Sequence, residues 1–266
     1  GSRTLIPHLQ GQPDSDKPVA ELWFGAHPGD PSTVDGRLLN EVIAEDPAGQ
    51  LGNRVSAEYG ERLPFLLKVL AAEEPLSLQA HPSKAQAEEG FARENAAGIE
   101  LTASNRNYKD DNHKPELIVA LTDFYAMAGF RPLARTRELF AALECPELDH
   151  YVAMLDDDPS ATTESANLRV LFTTWITIPA AKRKELISAI VAAGERLIAA
   201  DPADWKSRVM STVLELNQRY PGDIGVLGAL LLNHIELSPG EAVYLDAGQL
   251  HAYVSGLGVE IMANSD

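Results

Sequence analysis

The spacing of apolar and polar positions divides the chain into three stretches. From residue 1 to about 129, short apolar segments are separated by proline and glycine, a punctuation that favours β structure. "AELWFG" at Ala20 to Gly25 and "LIVAL" at Leu117 to Leu121 are its clearest predicted strands. The run "SLQAHP", Ser77 to Pro82, also reads as extended and must end at Pro82, which has no N–H to donate. Two helices are predicted in the same stretch, "DGRLLNEVIAED" from Asp35 and "SKAQAEEGFARENAAG" from Ser83, each opening on a residue suited to an N-cap. Between about 130 and 219, apolar residues recur at three- and four-residue spacing in "LARTRELFAALE", "ESANLRVLFTTWITI", "AAKRKELISAIVAAGERLIAA" and "DWKSRVMSTVLELNQRY". This block predicts four amphipathic helices joined by short loops such as "DDDPSATT". From Tyr220 onward the β texture returns, with tight turns at Gly240, Gly248, Gly256 and Gly258. The expected fold class is therefore mainly β with α. Residues 1–129 and 220–266 would share one sheet system, and 130–219 would form an inserted helical subdomain.

Composition narrows the function classes. No uninterrupted apolar run in the 266 residues reaches the length of about 18 that spans a bilayer, so a soluble protein is expected. A formal net charge of −17 argues against nucleic acid or an anionic membrane as the main partner, since both require basic patches. An anionic small molecule is compatible where positive charge is local, and Arg62, Lys68, Lys84, Lys109 and Lys114 lie in one segment. Cys145 is the single cysteine, which leaves no internal disulfide or thiolate-rich metal site and points to a reducing, cytoplasmic compartment. No signal-peptide pattern opens the chain.

The candidate chemistry lies in the β stretches. Gln79 and His81 occupy positions i and i+2 and would project from one face of a strand, either as ligands or as a satisfied polar pair. Glu116 stands at the start of "LIVAL" after Pro115, where a carboxylate entering a buried strand needs a partner such as a divalent cation. The spacing of Gly240, Asp246, Gly248 and His251 resembles the second metal motif of the cupin jelly roll, and an ordinary hairpin with an interior histidine is the alternative. Two imidazoles, one carboxylate and one amide oxygen suit zinc, and also manganese, iron or cobalt. His8, His150 and His234 read as surface residues, and Trp23, Trp175 and Trp205 as core.

"YKDDNHKPE", Tyr108 to Glu116, resembles the signature of type I phosphomannose isomerases, as do "ELWFGAHP", "FLLKVLAAEEPLSLQAHPSK", "MAGFRP" and "DAGQLHAYVSGLGVEIMANSD". The resemblance implies a cupin-type jelly-roll β-barrel carrying the helical insertion. It implies one zinc ion per chain on Gln79, His81, Glu116 and His251, and a monomer that interconverts mannose 6-phosphate and fructose 6-phosphate through a cis-enediol. It further implies proton-transfer or substrate-binding work for Lys114, a catalytic acidic residue at Asp266, ring opening by His113, and phosphate-end contacts from Ser77 and Lys68. Members of the family usually begin with a Tyr-x-Trp-Gly-Ser strand and continue past "NSD" to an arginine and a further β domain, so the chain looks cut at both ends. The competing readings are a non-catalytic sugar-phosphate-binding cupin module and a non-haem iron oxygenase using two histidines and a carboxylate.

Overall fold

The structure, a computed structural model, describes residues 1–155 and 161–265, with 161–165 described by backbone alone. The first half comprises α1 (Leu5–Leu9), β1 (Glu21–Gly25), β2 (Thr33–Val34), β3 (Arg37–Leu38), α2 (Leu39–Glu45), α3 (Pro47–Leu51), α4 (Asn53–Tyr59), β4 (Phe65–Ala72), α5 (Lys84–Ala96), β5 (Glu116–Ala120) and β6 (Phe124–Phe130). The second comprises α6 (Leu133–Leu143), α7 (Pro146–Val152), α8 (Ala161–Thr177), α9 (Ala180–Ala200), α10 (Trp205–Arg219), α11 (Ile224–Gly228), β7 (Leu232–Leu237), β8 (Ala242–Leu245) and β9 (His251–Ala263). The Asp/Pro-rich connection at 156–160 lies outside the described residues. Two compact units emerge, residues 1–126 with 236–266, and residues 127–235. No helix among the described residues is long and apolar enough to cross a membrane.

The first unit is built on an antiparallel sheet ordered β1-β4-β9-β5-β8. Strand β4 is buried along nearly its whole length, which is why "FLLKVLAA" lacks a clean alternation. In β5 the period of two is plain, with Glu116, Ile118 and Ala120 buried and Leu117 and Val119 half-buried. Strand β9 serves both neighbours: Phe65 to Ala72 of β4 pair with Ala263 to Gly256 on one side, and Glu116 to Ala120 of β5 pair with Met262 to Gly258 on the other. At Gly256 the backbone takes φ +127°, and a Cβ there would lie 2.7 Å from the Phe124 ring and 2.8 Å from the Asp123 carbonyl oxygen. Glycine thus permits both the conformation and the close approach of β6. Behind the sheet, Ile6, Val69, Ala71 and Leu257 form a buried cluster.

Two expectations are corrected here. The barrel is not closed among the described residues, since β1 ends the sheet beyond β4 and β8 ends it beyond β5. The stretch that would extend the sheet, 76–81, follows β9 only at separate points. Leu76 N–H donates to the Tyr253 carbonyl, Gln79 and His251 exchange both backbone hydrogen bonds, and Gly248 N–H donates to the His81 carbonyl. Pro75 and Pro82 flank this stretch and have no N–H with which to continue a ladder. The helix expected from Asp35 begins instead at Leu39, because Asp35 and Gly36 take φ of 50° and 78° and turn the β2–β3 hairpin. Helix α5 starts where expected, with a complete Ser83–Gln86 capping box.

In the second unit Trp175 is fully buried with Leu139, Leu171, Ile187 and Ile190. Helices α9 and α10 meet where Gly194 leaves room for Met210, and a Cβ at Gly194 would come within 2.5 Å of the Met210 methyl. His234 is not the surface residue expected: its Nε2 lies 3.0 Å from the Ala229 carbonyl oxygen, and burial pushes its pKa down to about 4.

Candidate metal centre

All residues of the candidate centre come from the first unit. Glu116 is the first residue of β5 and is held by register between Leu245 of β8 and Met262 of β9. His251 opens β9 opposite Gln79, and His81 follows two residues after Gln79. These pairings bring His81, Glu116 and His251 together with one donor atom of each within 4.8 Å of the others. His81 Nε2 lies 3.0 Å from Glu116 Oε1, and His251 Nε2 lies 3.3 Å from Glu116 Oε2. The imidazole centroids are 5.0 Å apart.

The donor set fits a divalent cation on two observations. His251 Nδ1 is 2.8 Å from the Gln249 carbonyl, which can only accept, so Nδ1 carries the proton and Nε2 is the nitrogen turned to the centre. His81 Nε2, close as it is to Glu116, is buried without a well-directed hydrogen bond, an arrangement that costs free energy unless something is bound there. Burial alone would raise the pKa of Glu116, but the imidazoles of His251 and His81, together with the charge of Lys114, hold it well below the usual carboxylate range. An ionised, inward-facing carboxylate between two imidazoles is the ligand state a cation requires.

Beside the donors lies a cavity of about 160 Å³ lined by Gln79, Glu116 and His251 and also by Ser77, Lys68 and Lys114. Lys114 Nζ is 3.9 Å from Glu116 Oε1. Lys68 is 3% exposed, with Nζ 3.3 Å from Glu21 Oε2 and 4.4 Å from the Trp23 ring centroid. His113 lines a different cleft, of about 780 Å³, shared with Arg54, Arg62, Lys84 and Glu116. Asp266 lies outside the described residues.

Apart from Lys68, the residues of one neighbouring row went unread as site residues in the sequence. Trp23, Lys68 and Glu260 form one cross-strand row over β1, β4 and β9. Trp23 Nε1 donates to Glu21 at 2.6 Å, and the residue is half-buried rather than in the core. The Tyr253 hydroxyl donates to Glu260 at 2.8 Å and sits 3.4 Å from Glu116. Burial, followed by the charge of Glu116, pushes the Glu260 carboxyl up to about 7 against the opposing pull of Tyr253, Lys68 and Lys114. Its sequence signal was a lone charge inside an apolar strand run, "GVEIM", matched by Lys68 inside "FLLKVLAA".

Comparison with known proteins agrees with this geometry. The family described as phosphomannose isomerase type I, catalytic domain, matches residues 3–133. Mannose-6-phosphate isomerase of Escherichia coli is 39% identical over the whole chain, which covers 66% of that relative. The Emericella nidulans enzyme of the same name is 36% identical over 95% of the chain and 58% of its own length. A crystal structure of the Salmonella typhimurium enzyme bound to its substrate, fructose 6-phosphate, and zinc superposes with TM-score 0.84 at 38% identity, covering all of this chain and 65% of that one. The chain thus spans just under two thirds of the length of these bacterial relatives. It belongs to the type I phosphomannose isomerase family.

Proposed function

We propose that this chain carries the metal centre and substrate cavity of a zinc-dependent isomerase that interconverts mannose 6-phosphate and fructose 6-phosphate. The observation that carries the reading is the convergence of His81, Glu116 and His251 beside a cavity lined with two lysines. Gln79, paired in register with His251, is the proposed fourth ligand. A bound zinc would supply Lewis-acid stabilisation of the negative charge that develops on the sugar oxygens.

The chain's own residues do the rest. Aldose–ketose isomerisation moves a proton between C1 and C2 of the open-chain sugar through a cis-enediol, so a proton carrier must stand beside the donors. Lys114 is that group in this proposal, supported by its place 3.9 Å from Glu116 on the cavity wall. Lys68 and Ser77 line the same cavity and are assigned to the phosphate end, with Glu21 and Trp23 fixing the ammonium of Lys68. Two roles rest on the resemblance alone, ring opening by His113 and a catalytic role for Asp266. The protein is proposed to act as a cytoplasmic monomer on a phosphosugar, the compartment being in keeping with a single cysteine.

Metal analysis combined with a coupled fructose 6-phosphate assay tests the proposal. Turnover that chelation abolishes and zinc restores is the expected result. Sugar-phosphate binding without turnover would leave a binding module, and oxygen consumption with iron bound would favour an oxygenase.

A further inference from the structure

Residues 97–115 connect α5 to β5 without a strand, yet they end at Glu116 and carry His113 and Lys114. A connection of this length needs its own anchors to hold one conformation. The anchors lie on α5. Glu94, 6% exposed, accepts from the backbone N–H groups of Asn107 and Tyr108 at 3.1 and 2.9 Å and from the Asn107 side chain at 3.1 Å. Arg106, 7% exposed, lies 3.1 Å from Glu94 and donates to the carbonyls of Tyr108 and Ile99 at 2.6 and 2.7 Å and to Asn95 at 2.7 Å. The Tyr108 ring packs so closely on Gly90 that a Cβ there would come within 2.5 Å of it.

The same helix begins three residues after His81, so one rigid rod joins the two arms of the donor set. At its start Lys84 donates to the Asp111 carbonyl at 2.8 Å, and from the end of β9 Ser265 donates to Asp110 at 2.8 Å. Residues 106–112 are thereby tied down on both sides, while 113–115 inherit their course from that clamp and from the register of Glu116 in β5. A buried ion pair contributes little net stability compared with apolar packing, and here both partners also hold the loop backbone by hydrogen bonds.

We propose that Glu94 and Arg106 are positioning residues for Lys114, setting its place beside Glu116 through the loop they clamp. This rests on the isomerase reading above. Misplacing a reacting group by about 1 Å costs up to about 100-fold in rate.

The test compares the parent chain with Glu94→Gln and Arg106→Lys in zinc-loaded form. It reads kcat, KM for fructose 6-phosphate, zinc content, and hydrogen exchange over 106–115. The expected result for each variant is a kcat reduced by at least about tenfold, KM within about threefold, and one zinc retained. Exchange should quicken over 106–115 and not over α5. The double variant should fall little further than either single one, because both act through one clamp. Unchanged kcat in variants whose loop exchange has quickened would overturn the proposal, and so would a kcat loss that merely tracks zinc loss. A parent chain that binds zinc and shows no turnover would instead sink the isomerase reading.

Discussion

Replacing Glu260 by glutamine should change how the metal-free protein responds to pH. Its carboxyl is held at about 7 in the folded chain against an ordinary value of 4.5. Between those values the folded state keeps a proton that the unfolded chain releases, so stability conferred by the raised pKa is present at low pH and is lost as pH rises through 7. With about 1.4 kcal/mol per pKa unit, linkage removes roughly 2 to 3 kcal/mol from the parent between about pH 5 and pH 8. The group is 3% exposed, so solvent screening takes little from this figure. Glutamine does not titrate, and the variant should gain roughly 2 to 3 kcal/mol relative to the parent over the same interval. Urea unfolding of both proteins after exhaustive chelation measures this as a difference of differences, in which all common titrations cancel. A gap that stays flat or closes with rising pH would refute the assignment of Glu260 as a buried carboxylate repelled by Glu116. Zinc should shrink the pH dependence, because a cation on Glu116 offsets that repulsion.

Glu116→Gln should weaken zinc binding by at least about 100-fold, measured by competition with a chromophoric chelator, since the anionic ligand is lost while both imidazoles remain. Gly256→Ala should destabilise the first unit by about 3 kcal/mol, from an L-residue forced to φ +127° and a Cβ driven into Phe124 and the Asp123 carbonyl. A shift of the thermal midpoint by less than about 1 °C would show that β9 bends without needing glycine there. Exhaustive chelation should leave His81 Nε2 buried without a well-directed hydrogen bond and favour local opening, read as faster hydrogen exchange over 76–82 that zinc reverses.

Local signals were legible where physics is local. Ser83 and Gln86 announce α5 because a capping box needs only residues three apart. The same logic misplaced the start of α2, since Asp-Gly also satisfies a hairpin turn and Asp35 resolves to that use. Helices α7 and α11, of seven and five residues, are too short to show a period and were not anticipated. Barrel closure depends on pairing between distant sheet edges, and among the described residues β1 and β8 end the sheet without meeting, a long-range property that strand patterns leave open.

The donor set was legible for a different reason. His81 stands two residues after Gln79 at strand spacing, Glu116 is a carboxylate entering an apolar strand, and His251 follows a tight turn, so each of the three carried its own cue. Trp23 and Tyr253 carried none that singles them out, and Glu260 only a lone charge in an apolar run. Their convergence depends on register across β1, β4 and β9, a long-range property that strand patterns leave open. Only the pairing of lone charges at Lys68 and Glu260 inside apolar runs hinted at it.

The most direct measurement is the anomalous-scattering structure of the zinc-loaded chain. One zinc should appear about 2.0–2.2 Å from Nε2 of His81, Nε2 of His251 and an Oε atom of Glu116. Zinc bound at other residues, or a saturated protein with these three side chains uncoordinated, would contradict the account.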